Sequence, residues 1–223
     1  MKNSFTVKLF ALVAAMVLVA VGGRAQEIVD LGLSVRWASC NLGATEPEQA
    51  GNYYAWGETK PKPVYSWKFY KWFSTEKKVL TKYNYKADMG AVDNRMVLAP
   101  EDDAAYVQSN GLWRMPTREE FVELIQNCSW NCVTINGMLV FEGRSRINGN
   151  KILLPLGGVW DGSKLDAYND GGLYWTSSID EGKSEFDEGP SHAWMVYMAY
   201  EITDMTSERY QGLNIRPVTD RKP

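Results

Sequence analysis

Between Asn110 and Ile125 the chain reads NGLWRMPTREEFVELI, a stretch that leaves its backbone little choice. Thr117 and Glu120 have the spacing of a capping box, in which the hydroxyl accepts a backbone N–H and the carboxylate returns to the N-cap amide. Pro116 holds Met115 extended. Phe121, Leu124 and Ile125 then share one helical face, so the chain should arrive extended at Thr117, turn into a helix and dock it on a core. Arg114 stands at the entrance, where its fixed fork of donors can tie several carbonyls or a carboxylate. The expected role is a structural pin between an earlier helix and this one; gripping a ligand is the competing role.

The earlier helix is read from APEDDAAYVQSNG. Pro100 suits a first turn, Glu101, Asp102 and Asp103 favour its positive end, and Asn110-Gly111 can close it. Upstream, EIVDLGLSVRWASCN alternates at Leu33, Val35 and Trp37 and predicts a strand or short hairpin. GNYYAWGETKPKP predicts a structured loop that tucks Tyr54 or Trp56 into the core. Downstream, RSRINGNKILLPLGG places Asn148-Gly149 at a hairpin, while GLYWTSSI, HAWMVYMAYEI and QGLNIRPV read as further strands. Two helices followed by several strands give an α+β order.

The first residues carry a different signal. Lys2 and Lys8 precede an apolar run from Leu9 to Val21, followed by Gly23 and Ala25 at the spacing of a secretory cleavage site. The run is shorter than the about 20 residues of a membrane span. Residues 1–25 are therefore expected to be a removed leader and 26–223 one exported domain without a stable membrane anchor, in the periplasm, at the cell surface or outside. Cleavage would leave 21 basic residues against 27 acidic, and the acidic excess falls between Asp161 and Glu188. No basic stripe suited to phosphates is visible, so nucleic acid is not an expected partner. The acidic stretch is either a solvated surface or a place for calcium.

Three cysteines, Cys40, Cys128 and Cys132, suggest one bridge and a spare thiol, or a bond between molecules. A Cys40–Cys128 bond would close a long loop and constrain the unfolded chain more strongly than Cys128–Cys132, by about 3 to 5 kcal/mol on the loop-entropy model. Cys128 and Cys132 could also meet, four residues apart. One histidine, His192, and no Cys-x-x-Cys pair argue against zinc.

In order, VDLGLSVRWASCNLGA, GNYYAWGET, DDAA, WRMPTREEF, NGNKILLPLGG, YWTSS and GLNIRPV resemble the Fibrobacter succinogenes major paralogous domain family, found widely in Bacteroidetes. The resemblance covers nearly all of residues 26–223. It implies a C-type-lectin-like α+β fold, with two helices flanking a twisted antiparallel sheet and the termini on neighbouring strands. It makes Trp113, Arg114, Pro116 and Arg216 framework positions, beside the capping pair Thr117 and Glu120. It also favours Cys40 with Cys128, from which Cys132 departs.

Function has to be read from sites. His192 lacks a nucleophile-elbow serine nearby, and Ser191, its neighbour, should point the other way on a strand. The cysteine pair of formylglycine-generating enzymes, which the resemblance would bring, has no counterpart after Cys132. A non-catalytic binding protein for a protein or glycan ligand, such as an adhesin, is the expectation, with a structural or surface-assembly subunit as the alternative. The loops around WDGSKLDAYNDGGLYW and DEGKSEFDEGPSHAW combine Gly, Asp and aromatics suited to recognition. The lectin-type resemblance makes late loops the ligand face and so nominates Trp160, Tyr168, Asp170 and Trp194, with Arg209 and Tyr210 on the last turn. Core packing is the competing role for the two tryptophans. The motifs of calcium-dependent lectins are absent, so no metal ligand is assigned.

Overall fold

The computed structural model describes residues 26–183 and 188–221. The expected leader, residues 1–25, and the acidic Glu185 and Asp187 lie outside them. The chain opens with β1 (Ile28–Val29) and β2 (Arg36–Ala38), then forms a small hairpin from β3 (Phe73–Ser74) and β4 (Val79–Leu80). Helices α1 (Ala104–Gln108) and α2 (Arg118–Asn127) follow. A meander comes next: β5 (Cys128–Ile135), β6 (Met138–Ser145) and β7 (Lys151–Pro155). The chain continues with the hairpin β8 (Val159–Asp161) and β9 (Lys164–Asp166), then β10 (Gly172–Ile179), β11 (His192–Met198) and β12 (Ile202–Glu208). It ends on β13 (Val218–Thr219).

These strands form five small sheets, ordered β1-β2-β13, β3-β4, β5-β6-β7, β8-β9 and β10-β11-β12. The fold is mostly β, 36% strand against 12% helical, and this corrects the α+β expectation. The C-type-lectin-like plan of two helices flanking one twisted sheet is not what the chain builds. α1 is only five residues long, and α2 packs against the β10-β11-β12 sheet. The sequence hid this because β5 begins where the helical face of α2 ends, and Cys128–Cys132 read as a helix end rather than a strand.

Local expectations meet the structure unevenly. The capping box forms, with Thr117 accepting from the Glu120 amide and Glu120 accepting from the Thr117 amide. Phe121 and Leu124 are buried against Trp37, Tyr174 and Val196, and the Trp37 and Phe121 rings meet edge to face at 4.9 Å. Tyr54 and Trp56 both enter the core. Asn148-Gly149 turns β6 into β7, with Gly149 at φ +79. In GLNIRPV, by contrast, Asn214 and Arg216 are as buried as Leu213 and Ile215. An alternating pattern thus lies inside on both faces.

The Cys40–Cys128 bridge is corrected as well: all three cysteines are free. Cys128 is sealed in the core beneath α2, where burial raises its thiol pKa to about 11. Cys132 is exposed on β5.

Arg114 clamps the entrance of α2. Its guanidinium grips both oxygens of Glu120 at 2.8 and 2.6 Å and reaches Asp220 at 3.0 Å, while its backbone pairs with Val218 in both directions. The pin therefore joins α2 to the C-terminal strand. The link to α1 runs instead through its N-cap, Asp103, which accepts the Met115 amide at 2.8 Å. Trp113 packs half-buried on the core, and the Pro116 carbonyl accepts the Ser177 amide. Arg114→Lys should lower stability by about 1 kcal/mol, because an ammonium cannot hold both Glu120 oxygens and Asp220 together. Equilibrium urea unfolding checks this, and an unchanged midpoint would refute the clamp.

Candidate functional site

One face of the molecule gathers a dense cluster of aromatic side chains. The segment from Tyr65 to Phe73, YSWKFYKWF, wraps over the last turn of the chain and beside the β8-β9 hairpin. Backbone pairs fix its position: Tyr65 with Gly162 at the hairpin tip, and Trp160 with Gly212 on the last turn. Tyr65 and Tyr70 are buried below, their hydroxyls donating to the carbonyls of Tyr53 and Trp56 at 2.6 and 2.7 Å. Trp67 lies half-buried above them, 5.1 Å from Phe73 and 5.2 Å from Tyr210, with Trp160 6.4 Å from Tyr65. Phe69 is 55% exposed at the crest. Rings so propped on one another present area at low entropic cost, and each pair adds about 0.5 to 1.5 kcal/mol beyond burial.

Polar groups border these rings. Asp161 accepts from the Gln211 amide at 3.1 Å and from the Tyr210 hydroxyl at 3.4 Å, and Glu208 accepts the Trp67 indole N–H at 3.2 Å. Burial, reinforced by these two carboxylates, raises the Tyr210 pKa, so its hydroxyl stays a donor across the neutral range.

Beneath the face sits Arg209, wholly buried. It donates to the carbonyls of Pro190, Tyr83 and Lys82 at 2.8, 3.1 and 3.1 Å and to the Tyr70 hydroxyl at 2.9 Å. Its guanidinium carbon lies 4.8 Å from the Trp56 ring centre. Arg209 was expected to touch ligand; this is corrected, because the side chain has no access to solvent and acts as a post under the site.

The remaining candidates separate. Trp160 and Tyr210 share the aromatic face. Tyr168 is 53% exposed in the turn after β9. Asp170 is exposed in the turn after β9, the turn that Asn169 anchors to the carbonyl of Gly137. Trp194 points elsewhere, toward α2, with the Arg118 guanidinium stacked on it at 3.3 Å and held there by Asp204. Sequence reasoning passed over Trp67, Phe69 and Phe73; the aromatic density of YSWKFYKWF was the signal that could have found them.

The acidic stretch disperses. Asp180 is buried and receives the amides of Gly182 and Gly189, Asp166 pairs with Lys164, and Glu188 pairs with His192 at 2.8 Å. Among the described residues no three His, Cys, Asp or Glu side chains gather into a metal-binding group. Ser191 does not point away from His192 as expected; its hydroxyl lies 3.0 Å from Nδ1, because the strand begins only at His192.

Next to the face, Asp102 is buried between two cations, with Lys71 at 3.2 Å, Lys82 in closer contact and the Tyr83 hydroxyl donating at 2.7 Å. Burial raises its pKa, but the hydrogen bonds from Lys82, Tyr83 and Lys71 outweigh it and hold the carboxyl below 3.8. A depressed folded pKa contributes stability that is present above the unfolded value and lost as pH falls through the folded one.

Compared with known proteins, the chain matches no family model, no curated protein and no solved structure. Among the described residues no helix is long and apolar enough to cross a membrane.

Asp102→Asn should lower Tm by several degrees at pH 7. The gap from wild type should close as pH falls below 3.8. Thermal melts from pH 7 to pH 2 test this, and a gap of constant size would show that the charge of Asp102 contributes nothing.

Proposed function

We propose that this is an exported, non-catalytic binding protein that recognises a glycan or protein ligand through the aromatic face around Trp67, Trp160 and Tyr210. The observation that carries this reading is the pairing of rigid, partly exposed rings with bordering carboxylate and amide groups at the edges of strands. That is the composition of recognition surfaces, in which rings supply contact area and polar groups fix orientation. Export is supported by the leader-like first 25 residues. The ordered sequence blocks support kinship with the major paralogous domain family. A surface-assembly subunit gains less support, because the edge strand β12 carries Thr203, Asp204, Thr206 and Glu208, and charged or polar edges resist pairing with other chains.

The test is a combined glycan and protein array probed with residues 26–223, as wild type and as Phe69→Ala and Tyr210→Ala. Binding should appear with the wild type and weaken at least about tenfold in both variants, as loss of a central aromatic contact does. Binding that survives both substitutions would place the ligand on another surface.

A further inference from the structure

Beside the aromatic ridge lies a cleft of about 330 Å³, between the β3-β4 hairpin and the end of β12. Its apolar wall is made of Trp67, Phe73, Leu80 and Met89. Set among these are Lys78, Asp88, Ser191 and Glu208, so the lining carries one ammonium, two carboxylates and a hydroxyl.

We infer that this cleft binds an uncharged sugar residue of a glycan, without metal, as the ligand-holding subsite of the face described above; the inference rests on that binding reading. An apolar ligand would lie against four polar groups to which it can make no hydrogen bond. A strongly cationic ligand would meet Lys78, and an anionic one Asp88 and Glu208. A pyranose answers both halves of the lining: its C–H face lies on a ring, while its hydroxyls donate to carboxylates and accept from an ammonium. The cleft is at the small end of the range of about 300 to 1,000 Å³ typical of ligand pockets, which suits one or two rings.

The side chains of Glu208 and Ser191 and the backbone that carries Asp88 and Lys78 are positioned before any ligand arrives. Glu208 is oriented by the Trp67 indole N–H. The Ser191 carbonyl accepts the Arg209 amide at 3.0 Å, and its hydroxyl is held by His192. Asp88 and Met89 sit on a turn tied to β4 through Gly90, which bridges Leu80. At Gly90 φ is +134, and a Cβ would lie 2.2 Å from the Leu80 carbonyl oxygen, so only glycine fits. Lys78 turns the β3-β4 hairpin at φ +56.

Saturation-transfer NMR with a panel of neutral methyl glycosides of glucose, galactose, mannose and N-acetylglucosamine, with chelator present, tests the inference on the wild type, Asp88→Ala and Glu208→Gln. Asp88 is exposed, so its substitution should leave the melting temperature alone. Transfer to at least one glycoside, falling about tenfold in apparent affinity in both variants, is the expected result. Transfer that is unchanged in both variants would take the sugar out of this cleft. No transfer to any glycoside, from a protein that still binds a protein on the array and loses it in Tyr210→Ala, would overturn the sugar inference and leave the binding reading standing. Silence on array and panel alike would overturn both.

Discussion

Two buried guanidinium groups hold this fold of small sheets together. Arg209 and Arg216 are both without solvent exposure, and each spends its donors on backbone carbonyls and neutral side chains rather than on a carboxylate. A charge taken out of water costs several kcal/mol unless its hydrogen bonds are replaced. That requirement forces the carbonyls of distant segments to converge on one point. Arg216 donates to the carbonyls of Ala38, Ser39 and Leu153 and to the Asn41 side-chain oxygen, and so joins the β1-β2-β13 sheet to the β5-β6-β7 meander. Burial pulls its pKa down to about 10, against the opposing pull of Tyr174 and Cys40.

Arg209 does the same under the aromatic face. Lys82, Tyr83 and Pro190 come from segments with little regular structure, which have few ladder bonds of their own. With Tyr70 they are assembled around one planar cation that also lies against the Trp56 ring. The rings above can therefore be half-exposed and still fixed in place, since the rigidity comes from below. The acidic and basic side chains nearby extend the arrangement: Asp102 gathers Lys71, Lys82 and Tyr83 at the same corner.

Features that depend on neighbours in sequence were legible. The capping box, the Asn148-Gly149 turn and the strand of GLYWTSSI all follow from local rules and the structure holds each of them, whereas the strand read over HAWMVYMAYEI ends at Met198 and turns into β12. What the sequence did not disclose depends on long-range convergence. Arg209 and Arg216 look like surface residues on a terminal segment, and nothing within ten residues of either shows the carbonyls that satisfy it. The α+β order failed for a related reason, since it passed over the strands β3, β4, β5, β8 and β9 and did not tell which sheet each strand joins. Trp160 and Tyr210 were legible as aromatic loop residues, whereas Trp67 and Phe73 join them only because Tyr65 pairs with Gly162 across the fold. Cys40 and Cys128 matched by resemblance and by loop length, yet each is a free thiol, Cys128 beneath α2.

One buried guanidinium organises the aromatic face, and amide hydrogen exchange on Arg209→Lys tests this most directly. An ammonium keeps the charge but cannot reach four acceptors with planar, fork-like geometry. The account predicts faster exchange confined to Trp67–Tyr83 and Glu188–His192, with β5, β6 and β7 protected as in the wild type, because local opening follows the contacts removed. Unchanged exchange in those segments, or an equal loss of protection throughout the chain, would contradict it.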